Sequence, residues 1–538
     1  MWIIMLAITA QIEAPKAAVA VRESAVVKIP DAADAAVWAL QDLLLLPAHE
    51  RHLTFYVWGG PDQTVRTAKI NSLAVNSALS HSSTLQFPAL TADGRLFRYN
   101  LRHLCPKHDD LQRAIGVLNF LALNEPYWHL NLEQLGRNPV ACTPFLWIDG
   151  RTYTSTITIP APTTEEGYSL LIRETGLLAP LLHHGDFLRR LSSTIEAEGG
   201  VYYHAIGFKR HRKSLSQAEI FATVGLDTAL SRKVEGDDRV GLVRSGVTGD
   251  PRAVEAIQGA VGSARITYDL NDGKTRGSVR QHPLYNLLGI VDKADGKEII
   301  IDRSNGLFAY VLTDGKGNLA DVAPQALVTD HRVPAPHNAN LFPPLSCVRC
   351  HASTGGVKNC PNDVPVLLSR AGGVDVFDDL RARTPNEAID RLAGLYGGNF
   401  DKRLTDTRIR FGDAVFAATR GMTAQGAGDE WSKQYGDYTY ELIDAQRQLL
   451  ELGYKARSPQ AAVKMLRKLL EPLEKDSLLP SGLPFATDDP LIHAPSAGPR
   501  PISIPRYDFE RTFAEQFRRV RARGVNIGLK QQNLELAP

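Results

Sequence analysis

The chain has 538 residues, 43% of them hydrophobic and 22% charged, and a formal net charge of +2. That length excludes a single hydrophobic core and calls for several units of about 150 residues each. The near-zero charge gives no support to a polyanionic partner, so nucleic-acid binding is not expected. The apolar content is that of a folded chain rather than a disordered one.

The opening reads MWIIMLAITAQ, an apolar run from Trp2 to Ile8 followed by small residues. This is the pattern of a secretory leader, with cleavage sites after Ala10 and after Ala20 but no preceding positive charge. Residues 1–20 are expected to be a signal peptide, and the mature protein to work in the periplasm or elsewhere outside the cytoplasm. The competing reading is an apolar N-terminal strand. No later stretch reaches the roughly 18–20 apolar residues that a membrane span needs.

An N-terminal α/β unit is expected over residues 30–165. Asp34 to Leu46, Thr64 to Leu79 and Asp110 to Leu123 have helical apolar spacing, and Leu96 to Asn100 alternates like a strand. Thr152 to Pro162 alternates threonine with isoleucine and ends in prolines, which predicts an edge strand running into a connection. A middle α+β unit is expected over 166–340. Ser216-Gln217-Ala218-Glu219 has the spacing of a capping box, and Asp250-Pro251 predicts a second helix start. His183-His184 has no acidic or cysteine partner at ligand spacing and reads as a surface feature at a helix end.

From Ile266 onward strands are expected. Ile299 to Ile301 and Leu307 to Leu312 are apolar runs separated by Asn305-Gly306, and Asp314 to Asn318 closes a turn because glycine and asparagine accept positive φ cheaply. The result is a small antiparallel meander. Arg280 to Leu284 is a polar loop before it. A mainly helical region is expected over 341–478, with a second capping box at Thr384-Pro385-Asn386-Glu387 and helices over Arg403 to Thr419, Tyr440 to Leu452 and Ser458 to about Leu470. Residues 479–505 are proline-rich and predict a linker. A last amphipathic helix over 506–538 places Phe509, Phe513, Phe517 and Val520 on one face, expected to pack back on the body. The fold class expected is therefore α+β and multidomain.

The cysteines are Cys105, Cys142, Cys347, Cys350 and Cys360, too few for a disulfide scaffold. Three of the chemically informative positions lie together in Ser346-Cys347-Val348-Arg349-Cys350-His351. C-x-x-C-H is the attachment signal of a c-type haem. Residues i and i+3 share a helix face, so two thiols there reach the two vinyl groups of one porphyrin, and the next residue brings an imidazole to the iron. The expectation is one covalent haem c, with His351 as the proximal ligand. Two other chemistries use the same residues: a zinc site of Cys347, Cys350, His351 and Cys360, and a thiol–disulfide pair. The latter is expected beside a thioredoxin-like βαβ pattern, which does not precede this segment.

The distal side is open between several groups. Met422 lies in a loop after a helix, and His337 in Pro336-His337-Asn338; both are candidate iron ligands, and His331 is a further one. Met465 reads as a core residue. A methionine ligand suits electron transfer, whereas an open position suits peroxidase-like chemistry. Electron transfer to a redox partner protein is the expected role, and substrate turnover the alternative.

Several segments resemble a family of large bacterial cytochrome c-like proteins with a single haem motif. They are Asn71-Ser72-Leu73 with Phe97 to Arg102, Glu125-Pro126-Tyr127-Trp128, Arg280 to Leu284, Asn305 to Leu307 with Asp314 to Asn318, Val328-Thr329-Asp330, Leu345 to His351, and the helical stretches Asp406 to Ala417 and Tyr440 to Tyr454. The likeness runs from about residue 35 to 455. It implies an exported haem-binding protein in electron transfer and a cytochrome c-like character for residues 341–478. Pro343-Pro344-Leu345 departs from the Asn-Gly-Ile that the family favours there.

Overall fold

In the computed structural model the described residues are 32–59, 65–91, 96–122, 164–196, 199–208, 240–244, 251–258, 263–269, 294, 296–323, 340–352, 399–451, 456–466, 503–506 and 509. The expected signal peptide, Thr152 to Pro162, Ser216 to Glu219, Arg280 to Leu284, His331, His337, Thr384 to Glu387, Cys142, Cys360 and the helix beyond Phe509 lie outside them.

Apolar residues spaced along one helical face build the first elements. Helix α1 (Ala32–Leu45) buries Ala35, Ala36, Ala39, Leu40 and Leu43, and a short α2 (Ala48–Arg51) leads into strand β1 (Thr54–Trp58). Helix α3 (Val65–Ala78) is buried along most of its length. Strands β2 (Ala89–Thr91) and β3 (Leu96–Asn100) follow, then α4 (Leu101–Leu104) and α5 (His108–Ala122). After α6 (Thr164–Thr175) come β4 (Leu181–His183), α7 (His184–Leu191) and α8 (Tyr202–Ile206). The sheet order is β2-β3-β1-β4. Strands β1 and β4 run parallel, with Tyr56 opposite Leu181, and β1 is antiparallel to β3. The central strand β1 is buried at every position, as expected where helices cover both faces.

The second sheet is a meander of five antiparallel strands: β5 (Val240–Arg244), β6 (Pro251–Gln258), β7 (Ser263–Asp269), β8 (Gly296–Asp302) and β9 (Phe308–Asp314). The expected helix at Asp250-Pro251 is instead strand β6. Capping chemistry at its start lost to pairing on both sides, with β5 and with β7. Proline is tolerated at the first residue of a strand, so the pairing, rather than any period-2 alternation within Arg252 to Gln258, sets this element. The turns at Asn305-Gly306 and Gly317 form where expected, and both glycines have positive φ. Asp314 fixes the second turn by accepting from the backbone N–H groups of Lys316 and Asn318.

Strand β9 is an edge, and two tyrosines of α8 cover it. The N–H of Tyr310 donates to Tyr202 Oη at 2.9 Å, and the N–H of Leu312 donates to Tyr203 Oη at 3.0 Å. Tyr203 Oη in turn donates to the carbonyl of Ala320. Edge groups that would otherwise recruit another strand are thereby satisfied. Tyr202→Phe leaves the buried Tyr310 N–H without its acceptor and is expected to cost about 1–3 kcal/mol. Equilibrium urea unfolding reads this, and a loss below about 0.5 kcal/mol would show that water replaces the hydroxyl.

Next come α9 (Leu345–Ala352), α10 (Asn399–Ala418) and α11 (Ala424–Tyr440). Strand β10 (Leu442–Ile443), α12 (Ala445–Glu451), a helix over 459–466 (α13) and β11 (Ile504–Pro505) complete the described chain. The helix expected from Tyr440 starts only at Ala445, because Leu442-Ile443 pairs with Ile504-Pro505 as a two-stranded ribbon. The end of the expected linker is therefore paired strand. Phe509 just beyond it is fully buried, as expected of a segment that packs back on the body.

Two clusters of buried apolar side chains hold these parts. The larger runs from Leu53 through the meander and α9 to Tyr435; the smaller joins α1, α6, α12, α13 and Phe509. The fold is thus mixed α and β, with small sheets and several helices. Among the described residues no helix is long and apolar enough to cross a membrane.

Candidate functional site

Helix α9 carries Cys347, Cys350 and His351. Its first turn is locked locally: the N–H of Ser346 donates to the carbonyl of Phe342, and the N–H of Phe342 donates back to Ser346 Oγ at 3.2 Å. The N–H of Val348 donates to the carbonyl of Pro344. The helix then lies along α11 and on the sheet face that bears Glu298 and Tyr310. One turn of helix brings Cys347 and Cys350 to the same side. Both are free thiols, buried to 7% and 8% exposure.

The chemistry around them is set by Glu298, which the sequence reading did not single out. It sits on β8, opposite Leu312 of β9 and Thr267 of β7. His351 Nε2–H donates to Glu298 Oε1 at 3.1 Å, and the same carboxylate acts electrostatically on the Cys347 thiol. Burial first, then the negative charge of Glu298, pushes the Cys347 thiol well above its ordinary range, so it is held protonated. The Tyr310 ring lies 5.9 Å from the imidazole. A local signal for Glu298 existed only in hindsight: a lone carboxylate within the strand Lys297-Glu298-Ile299-Ile300-Ile301.

A bare zinc ion needs three or four N and S ligands converging within about 2.3 Å of one point. Among the described residues no three histidine, cysteine, aspartate or glutamate side chains are placed to hold one metal ion. The described side chains close over the thiols, however. The cavity behind Val348, lined also by Ser77, Phe308, Tyr310 and Trp431, is about 10 Å³, room for one water and far too small for a macrocycle. The segments on either side of the helix, 324–339 and 353–398, are outside the described residues.

The other candidates fall as follows. Met422 is half-buried after α10 and packs against the larger core, its N–H donating to Thr419 Oγ1. Met465 is in the smaller core, as a core residue should be. Cys105 is a buried free thiol donating to the carbonyl of Leu79, and burial pushes it up to about 12.

His183 and His184 are not at the surface: they are 8% and 2% exposed. Sequence spacing missed this because their partners come from distant helices. His184 Nδ1 accepts from Asn71 Nδ2 at 2.6 Å, and its Nε2–H donates to Gln434 Oε1 at 3.1 Å. The His183 ring lies against Trp58 and Tyr438. Gly185 permits this, since a Cβ there would sit 1.9 Å from the Tyr438 ring. Burial pulls His184 down from 6.5 to about 3, so the folded chain binds it neutral. A histidine depressed in the fold stabilises it fully above the unfolded value and loses that contribution as pH falls toward the folded one. Stability is expected to drop by about 1.4 kcal/mol per pH unit below pH ~6.5 from this group. Urea midpoints at pH 7 and pH 5 should converge in His184→Gln relative to the parent; an unchanged slope would remove His184 as the cause.

No family model matches the sequence, and no curated protein and no solved structure matches it either.

Proposed function

We propose that the chain carries one haem c, joined through thioethers to Cys347 and Cys350 with His351 as proximal ligand, and that it transfers electrons outside the cytoplasm to a redox partner protein. The observation that carries this is the C-x-x-C-H turn itself: two free thiols on one side of one helical turn, followed by an imidazole. Further support comes from the resemblance to large bacterial cytochrome c-like proteins and from the leader-like first residues. When bound, the haem supplies a one-electron couple at iron, tuned by the axial ligands and by burial. The chain's own residues would do the holding: the thiols would anchor the group and His351 would ligate it. Met422 and His337 are the proposed candidates for the distal position.

The test is optical. Protein matured with a haem-attachment system and stripped with acidified acetone is expected to keep its pigment and to give a c-type pyridine haemochrome of one haem per chain. A colourless protein that holds one zinc would replace this reading with a structural metal site. Carbon monoxide binding by the ferrous form at neutral pH would replace electron transfer with an open-site haem chemistry.

A further inference from the structure

Glu298 meets the motif from the neighbouring sheet. The partly buried carboxylate of Glu298 is hydrogen-bonded to His351 Nε2 and acts on the Cys347 thiol beside it, and both partners lie on a helix of only eight residues. The side chains of His351 and Glu298 are 13% and 17% exposed, so the pair is largely shielded from water. With its Nε2 hydrogen given to Glu298, the His351 imidazole has no lone pair at that nitrogen to offer.

The rest of the helix seat is imperfect. Val348, on the other side of the helix from the thiol pair, borders the cavity of about 10 Å³, whose wall there lacks close-packed neighbours. The hydroxyl of Tyr310, which also lines that cavity, is buried with no hydrogen-bond partner among the described residues. An orphaned buried hydroxyl and an unfilled void both weigh against the closed arrangement. The charged acceptor Glu298, bonded to His351, opposes them.

We propose that Glu298 is a latch: by bonding His351 and acting on Cys347 it holds helix α9 closed on the meander, and the motif becomes available as a donor set only when Glu298 lets go. The inference rests on the reading of Cys347, Cys350 and His351 as the haem donors. Glu298 acts through those residues and is a positioning residue.

The experiment uses the full-length, haem-free chain and measures alkylation by iodoacetamide at each cysteine by peptide mass spectrometry. Cys105, buried at 1% exposure and remote from α9 in sequence, is the internal reference for general loosening. In the parent chain Cys347 and Cys350 should react as slowly as Cys105. Glu298→Ala is expected to speed Cys347 and Cys350 by about tenfold relative to Cys105, the loss expected for one charged, partly buried hydrogen-bond acceptor. Glu298→Gln, which keeps an acceptor oxygen but loses the charge, should give a smaller rise than Glu298→Ala. Fast labelling of Cys347 and Cys350 in the parent would overturn the latch, as would an equal rise at Cys105 in Glu298→Ala or no rise at all. Because no haem is present in the assay, a chain that never takes haem yet shows this pattern would overturn the functional reading and leave the latch standing.

Discussion

With Cys347 and Cys350 both replaced by alanine, the matured chain is expected to lose all of its pigment on denaturation, where the parent keeps one haem per chain. A thioether survives unfolding and a coordination bond does not, so the difference is complete rather than graded. Each single replacement leaves one thioether and should retain covalent pigment in reduced yield. His351→Ala should keep covalent haem through the two thioethers but lose the parent's visible spectrum, because the proximal ligand is gone. Haem-stained denaturing gels and pyridine haemochrome spectra of the same samples check all four chains together. Pigment that survives denaturation in the double variant would remove these thiols as the anchors. A zinc site predicts a different pattern, in which each of the three replacements weakens metal retention and none bears on a pigment.

The second large effect concerns the helix on which α9 rests. Trp431 of α11 is 1% exposed, packs in the larger core, and donates its Nε1–H to Ser192 Oγ at 2.7 Å just after α7. Its indole also walls the cavity behind Val348. Trp431→Ala removes a large buried ring at a place that already contains a void, and relaxation into that void cannot recover the lost contacts. The expected destabilisation is about 3–5 kcal/mol. Trp431→Phe keeps most of the ring but strands the Ser192 hydroxyl, and should cost about 1–3 kcal/mol. Urea unfolding followed by far-ultraviolet circular dichroism separates the two. A loss below about 1 kcal/mol in Trp431→Ala would mean that the site collapses freely and that α11 does not brace the motif helix.

Both effects depend on contacts of uneven legibility. The helix Ala424–Tyr440 was not expected from the sequence, since Gly426, Gly428 and Gly436 weaken any local preference for helix. Its buried face, Ala427, Trp431, Tyr435 and Tyr438, does follow a helical repeat, but the repeat acquires meaning only once α7 and α9 supply the surfaces it fills. Thr423 caps it by accepting from the Gly426 N–H, a local signal that the glycines masked. The opposite error occurred at Pro251, where a plausible helix start yielded to strands on both sides. Nothing local marks His183 and His184 as buried, because their partners, Asn71, Gln434, Trp58 and Tyr438, are separated from them by more than a hundred residues in sequence.

What the sequence by itself determined is the local chemistry: the i, i+3 placement of two thiols with a histidine behind them, the hairpin turns at Asn305-Gly306 and Gly317, and the helices whose apolar stripes are continuous. These follow from backbone geometry within a few residues, which needs no distant partner. Only the tertiary structure decided that Glu298 faces Cys347 and His351, that Tyr202 and Tyr203 close the edge of the meander, and that the histidine pair is buried. Each of those outcomes joins residues from different elements, and a carboxylate in a strand or a tyrosine on a short helix carries no mark of which remote group it will meet once burial makes that meeting obligatory.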